Sequence, residues 1–469
     1  MSRAAAIARA EAYFDSGAFK DDLSRRVAIP TESQNPERAE DLARYLSSEI
    51  APALENLGFK TRTLTQARAK GPFLFAERIE DPSLPTAFGY GHGDVIRGLD
   101  KSWHEGLAPW TVTEKDGRYY GRGVVDNKGQ HTINIAAQAA VLAERGKLGF
   151  NAKWLIEMGE ETGSPGLREL CIEHKDLLKP DVLVGSDGPR LTADRPTISL
   201  GTRGAFPIDI WIDAREGGHH SGNWGGLLSS PAIQLVHALA TITGPTGQIR
   251  IPEWVPAAGI PESVKRALAD CEVKSGPGDP EIDPNWAEPG LTLAEKVFAW
   301  CTFEILAMTS GVPESPVNAV PPRAWARGQI RFVVGTNPDD FLPALRRHLD
   351  RHGFPMVQIA RGRDDIMNAT RLDPEHPWAR WAATSIAKTT NKKPAVLPNV
   401  GGSLPNDIFS DGLGLPTIWV PHSYPGCSQH APNEHFPVAL AREALGIMAG
   451  LYWDLGEPGT PKTTSPKAT

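Results

Sequence analysis

The patterning of the chain predicts an α/β fold: a larger domain on a mostly parallel sheet, split by a smaller inserted α+β domain. Three observations carry that prediction. Strand-like and helix-like segments alternate from residue 86 to 187, as in a parallel sheet covered by helices. The texture changes after Gly201-Thr202-Arg203-Gly204 and reverts near His376, which divides the chain into 1–203, an inserted 204–365, and 366–469. Acidic or His residues close the predicted strands at separate corners, on the edge where open α/β sheets bind ligands.

The elements follow in order. Met1 to Leu23 is Ala-rich and charged at helical spacing, with no unbroken apolar core of the kind a signal peptide carries. Pro36-Glu37 opens a helix that runs to about Leu57 and is closed by Gly58. The run from Thr86 reads as a buried strand ending in His92-Gly93-Asp94. After a loop bearing Trp103 and Trp110 come the Gly-flanked corner at Asp126 and an Ala-rich helix over 130–145. A strand over Ala152–Met158 runs into Glu160-Glu161-Thr162-Gly163, a helix covers about 165–178, and a further strand delivers Asp187. In the insertion, Ala205–Ala214 alternates as a strand, a Gly-rich loop spans 217–226, and a helix runs from Ser229 to about Thr243. The Pro-, Gly- and Trp-rich stretch 244–315 reads as irregular. A strand over Ala324–Val334, a helix capped by Asn337 and a strand over Met356–Arg361 complete a β-α-β-α-β series. The last part offers a helix over 376–390, the Gly401-Gly402-Ser403 turn, a strand over 416–420 and then His430. Glu457–Thr469 reads as a loose tail.

Bulk composition excludes several classes. At 469 residues with 40% hydrophobic and 22% charged residues, the chain has the composition of a multi-domain globular protein. A net charge of −7 provides no basic footprint for nucleic acid. No apolar run approaches the length of a membrane span. The four cysteines are scattered without a CxxC pair, which indicates neither a disulfide framework nor a thiolate metal site; with no signal-peptide pattern and no apolar span, the expected setting is the cytoplasm.

The chemistry concentrates in His92, Asp126, Glu161, Asp187 and His430. Two imidazoles and three carboxylates are what two divalent cations need when one carboxylate bridges them. Asp126, centrally placed and Gly-flanked, is the natural bridge. Two such ions clamp a water, lower its pKa and polarise a carbonyl. Glu160, beside Glu161 yet uncommitted, holds the position of a general base. Asp94, two residues beyond His92, is placed to fix the imidazole tautomer. Zinc suits these N/O donors, as do manganese and cobalt.

Gly91-His92-Gly93-Asp94-Val95, Gly121-Arg122-Gly123 with Asp126-Asn127-Lys128-Gly129, and Glu160-Glu161-Thr162-Gly163-Ser164 together resemble the M20 metallopeptidases, most closely the dipeptidase-type members. The resemblance spans about residues 20 to 450. It implies one metal on Asp126, Glu161 and His430, a second on His92, Asp126 and Asp187, Glu160 as base, and a cis peptide between Asp126 and Asn127. It also implies that the insert is a ferredoxin-like lid that dimerises and lends a His as oxyanion donor to the other subunit. His220 in His219-His220-Ser221-Gly222 resembles that residue, with His219 the local alternative. Asn318 and Arg331 lie where relatives hold the substrate carboxylate, and Gly402 and Ser403 lie in a turn that resembles the substrate-contacting turn of the dipeptidases. Among His422, His430 and His435, the family's His followed shortly by Asn-Glu matches His430. His104 and His131 read as ordinary loop and helix residues. Trp110, where many relatives place Phe, and the Trp-rich 244–315 depart from the pattern.

The expected activity is hydrolysis of dipeptides or carboxypeptidase-like cleavage. Deacylation or desuccinylation of N-acyl amino acids, or deamination, is the neighbouring alternative on the same machinery. A non-catalytic binding protein on the same fold would typically have lost a ligand or the base, whereas all six residues are present. Gly89-Tyr90-Gly91-His92-Gly93 lacks the spacing of a dinucleotide fingerprint.

Overall fold

The computed structural model describes residues 1–276, 280–362 and 366–461. Residues 462–469 of the expected loose tail, and 363–365 at the expected end of the insert, lie outside the described residues.

The main sheet has eight strands in the order Lys60–Leu64, Phe73–Arg78, Asn151–Glu157, Thr86–His92, Val182–Gly185, Thr417–Trp419, Thr197–Ser199, Ala395–Leu397. Its centre, from Asn151–Glu157 to Thr417–Trp419, is parallel. Antiparallel pairs occur toward both edges. Successive side chains of a strand point to opposite faces, and this sheet sends them into two different cores. Leu74, Ala76, Ala87, Trp154 and Ile156 enter one, with the helices Arg3–Asp15, Lys128–Arg145 and Val438–Leu455. Phe73, Phe75, Phe88, Tyr90 and Leu155 enter the other, with the helix Leu167–Glu173. Burial on both faces is why these strands read as nearly continuous apolar runs. Gly89 makes room for Trp154: a Cβ there would lie 2.6 Å from the indole. A Gly89→Ala change would therefore push a fully buried ring out of the sheet face.

The insert is a four-stranded antiparallel sheet, ordered Thr302–Ser310, Arg323–Phe332, Gly204–Asp213, Gln358–Arg361. The helices Pro231–Ile242 and Phe341–Arg351 pack against it around a separate core containing Ile208, Ile210, Leu235, Trp254 and Phe341. The chain order is β-α-β-β-α-β, a ferredoxin-like arrangement.

Three expectations require correction. The irregular reading of 244–315 missed the helices Glu262–Leu268 and Leu293–Phe298 and the strand Thr302–Ser310. That strand sits at a sheet edge with most of its side chains exposed, so burial imposes no alternation on TFEILAMTS. Trp254 in this stretch belongs to the insert's core and donates to the Phe341 carbonyl at 3.0 Å. The helix expected over 36–57 is composite: a 3₁₀ turn, helix Ala39–Tyr45, a wide π turn over Leu46–Ile50, then Ala51–Glu55. Pro52 explains the widening, because it has no N–H to give the turn below and its ring crowds that carbonyl. The helix expected over 165–178 is broken at His174 into Leu167–Glu173 and Lys175–Leu178.

Candidate active site and metal centre

The parallel strands place their C-terminal ends side by side, and the chemistry sits there. Thr86–His92 ends on His92, which pairs in register with Glu157 near the end of the adjacent strand. From Glu157 the chain turns through Met158-Gly159 into a 3₁₀ turn bearing Glu160 and Glu161. Asp187 follows Val182–Gly185, and Asp126 precedes the helix Lys128–Arg145. The peptide between Asp126 and Asn127 is cis.

These residues converge. His92 Nε2 lies 3.2 Å from Asp126 Oδ1 and 3.5 Å from Asp187 Oδ2. His430 Nε2 lies 3.1 Å from Asp126 Oδ2 and 3.0 Å from Glu161 Oε2. Two groups of donor atoms result, His92/Asp126/Asp187 and Asp126/Glu161/His430, each with its atoms within 4.8 Å of one another. Asp126 belongs to both and offers one oxygen to each imidazole.

Buried carboxylates in this number demand positive charge. Burial raises Glu160 well above the ordinary carboxylate range; His92 opposes the rise, and the charges of Glu161, Asp187 and Asp126 add to it. Burial and the Asp126 charge push Glu161 up to about 7 against the pull of His430. Burial disfavours the His92 imidazolium, but Asp126, Asp187 and Asp94 outweigh it and raise His92 well above its usual value. Hydrogen bonds to Asp126 and Glu161 push His430 up to about 11. Despite burial, His430 and His92 hold Asp126 below the usual range.

The donor set fits a pair of divalent cations. His92 Nε2 and Asp187 Oδ2 are buried, and neither has a hydrogen-bond partner among the described residues. Buried polar atoms in folded proteins nearly always have one, so two such atoms aimed at the same point call for a third party. Imidazole nitrogen and carboxylate oxygen without thiolate suit borderline dications.

The supporting contacts go beyond what the sequence suggested. His92 Nδ1 meets the Asp94 backbone carbonyl at 3.0 Å, fixing the ring, while the Asp94 carboxylate is slightly farther at 3.4 Å. That carboxylate instead accepts the Glu160 and Glu161 N–H groups at 3.1 and 3.2 Å, pinning the acidic corner. Glu434 entered the sequence reading only through the Asn-Glu that marks His430, without a role of its own, yet its fully buried carboxylate accepts N–H bonds from Gly123, Val125 and Asp126 and pairs with Arg122 at 2.8 Å. The turn it holds is tight: a Cβ on Gly129 would lie 1.9 Å from the Val124 carbonyl. His131 is more than an ordinary helix residue. Its ring bridges the Asn127 side chain at 3.1 Å and the Tyr45 hydroxyl at 2.6 Å, directly behind Asp126. His422 contacts Ser186 and His435 the Asn433 carbonyl, and neither belongs to a ligand group. His104 is exposed on its loop.

A cleft of about 680 Å³ opens over the centre, lined by Glu160, Glu161, His430, Arg331, Gly402 and Ser403 among others. Arg331 Nη1 donates to Ser403 Oγ at 2.8 Å, and Ser403 in turn donates to the Arg203 carbonyl at 2.7 Å. The half-buried Arg203 guanidinium donates to the Gly401 carbonyl at 2.8 Å, so both arginines brace the turn. His220 and Asn318 lie apart from this cleft, together at an exposed two-stranded antiparallel ribbon of the insert where His220 pairs with Ala319. The Gly222 N–H donates to His220 Nδ1 at 3.1 Å, leaving Nε2 to carry the proton outward.

A profile of peptidase family M20/M25/M40 matches residues 89–454. The chain belongs to this family. It is 34% identical over 377 residues to a mouse (Mus musculus) Beta-Ala-His dipeptidase, an alignment covering 77% of this chain and 75% of the relative. A Cysteinylglycine-S-conjugate dipeptidase of Corynebacterium striatum is 28% identical over 82% of the chain and 83% of its own length. The crystal structure of human carnosine dipeptidase 1 superposes with a TM-score of 0.76 at 23% identity, covering 96% of this chain and 98% of that one. The M20 chain is thus a hydrolase, a metallopeptidase of the dipeptidase type, with the α/β sheet and ferredoxin-like insert described above. Among its described residues no helix is long and apolar enough to cross a membrane.

Proposed function

We propose that this M20 chain cleaves the amide bond of dipeptides carrying a free C-terminal carboxylate, with Glu160 as general base. One observation carries the reading: Glu160, with Glu161 and His430 of one ligand group, lines the same cleft as the Arg331–Ser403 pair. Named activities of the relatives, Beta-Ala-His and cysteinylglycine-S-conjugate dipeptidases, support a small two-residue substrate.

His92, Asp126 and Asp187 would hold one divalent cation, and Asp126, Glu161 and His430 the other. When bound, the pair supplies an acidified water and electrophilic assistance to the scissile carbonyl; zinc is the ion we favour, with manganese or cobalt as substitutes. Glu160 takes a proton from the attacking water and delivers it to the leaving amine nitrogen. Burial raises its pKa, which makes the carboxylate a stronger proton acceptor than a solvated one. Asp94 and Glu434 keep the acidic corner and the Asp126 turn in place. Arg331 and Ser403 hold the substrate carboxylate, and Gly402 presents backbone to it.

The oxyanion donor is His220 of a second copy, with Asn318 beside it. The lid is 204–365, and 1–203 with 366–469 form the catalytic part. Its outer strand Thr302–Ser310 is a sheet edge whose Ile305, Leu306 and Met308 are exposed, as are Ile233 and Val236 on the neighbouring helix. An apolar edge strand of this length calls for a partner, and a second lid is the one we assign. Four unpaired cysteines support a cytoplasmic setting.

Subunit mixing tests the arrangement. Glu160→Gln and His220→Ala proteins are each inactive, and after exchange a mixed dimer regains one working site. Verified exchange without recovery would refute the shared site.

A further inference from the structure

A second cavity lies on the other side of the helix that begins just after Asp126. It holds about 580 Å³ and is lined by Ala136, Ala139 and Ala143 of Lys128–Arg145, by Pro52 and Leu57, and by Arg26. The floor is apolar. The charged rim is largely neutralised: Arg9 pairs with Glu144, and Arg25 with Asp22 and Glu49. Tyr13 also donates to Asp22.

Arg26 is the exception. It is 3% exposed, its Nη1 donates only to the Thr132 hydroxyl, and its Nε has no hydrogen-bond partner among the described residues. No carboxylate among those residues forms an ion pair with it, whereas a buried guanidinium ordinarily has an anion beside it. The backbone carbonyls of Arg26 and Ile29 accept the Lys128 ammonium at 3.0 and 2.7 Å, so the residue is held in place by its main chain, with its side chain left at the cavity wall. The mechanism above uses none of these groups.

We propose that this cavity binds a small organic monocarboxylate with an apolar body, the carboxylate on Arg26 and the body on the alanine face. The shape and charge both select for it. A second carboxylate would find no further unpaired cation in the lining, where Arg9 and Arg25 are already paired, and a neutral apolar molecule would leave Arg26 uncompensated.

Isothermal titration of the whole protein with octanoate tests the assignment. The expected result is one saturable site with Kd on the order of 100 µM. Arg26→Met weakens it about tenfold or more, and Ala139→Trp, which fills the cavity from its half-exposed side, abolishes it. Arg331→Met, in the catalytic cleft, leaves it unchanged. If Arg26→Met does not fold, Ala139→Trp carries the test. Absence of saturable binding, equal affinity for octan-1-ol, retention in Ala139→Trp, or loss in Arg331→Met would each overturn the assignment. The last outcome would place octanoate in the catalytic cleft and leave the peptidase reading untouched.

Discussion

Glu434→Gln isolates the scaffold of the metal centre from the ligands themselves. The substitution preserves volume but removes the charge that Arg122 faces at 2.8 Å and sets an amide NH₂ among the N–H groups of Gly123, Val125 and Asp126. Arg122 is 1% exposed, so it becomes a buried cation with no carboxylate, a defect costing about 3–5 kcal/mol. Some of that is recovered through the Ala431 carbonyl, which already accepts from Arg122 at 3.0 Å. The remainder relaxes the turn that aims Asp126 at His92 and His430. Removing a group that orients a ligand typically lowers metal affinity 10- to 100-fold. Competition titration against a chromogenic chelator reads that loss, and urea midpoints read the stability. Because Asp126 serves both ligand groups, both binding steps weaken together. A variant with unchanged affinity, or with only one weakened step, would refute the role given to Glu434 and the shared position of Asp126.

Three further outcomes are expected. Burial holds His131 and His422 well below the ordinary imidazole range. At these two positions the unfolded chain therefore binds protons that the native state does not, and each histidine contributes a fall in stability of about 1.4 kcal/mol per pH unit as pH drops below about 6.5. Urea midpoints measured from pH 7 to 5 show the slope; His422→Asn reduces it by one histidine's share, and an unchanged slope would contradict the burial argument. Arg331→Met raises KM for a dipeptide about 10- to 100-fold, the worth of one charge-assisted hydrogen bond, at little cost in kcat. The corresponding dipeptide amide is insensitive, and equal losses on both substrates would remove Arg331 from carboxylate binding. Glu160→Gln retains both metals by elemental analysis while kcat falls about 10²- to 10⁴-fold, and near-normal turnover would exclude Glu160 as base.

What could be read from the sequence was local. His92, Glu160, Glu161 and Asp187 stand at Gly-marked corners after strongly apolar strands and Asp126 at a Gly-flanked corner before a helix, and both signals are visible within a few residues. The lid's alternation could be read for Gly204–Asp213 and Arg323–Phe332, which the sheet interior buries on one face. It vanished for Thr302–Ser310, where exposure removes the constraint that writes the pattern. The roles of Glu434 and His131 were missed for a different reason. Each acts through a partner that only the fold brings near: Glu434 reaches Gly123 across 311 positions, and His131 reaches Tyr45 across 86. The Asn-Glu used to select His430 contains the first but says nothing of what its carboxylate holds. Nothing local distinguished the second from a helix residue.

The most direct test of the account is metal content by elemental analysis, paired with hydrolysis of a panel of dipeptides and N-acyl amino acids after reconstitution. The account predicts about two divalent ions per chain and cleavage of dipeptides with a free carboxylate. Protein that retains no metal after reconstitution, or that holds two ions and cleaves only N-acyl amino acids, would contradict it.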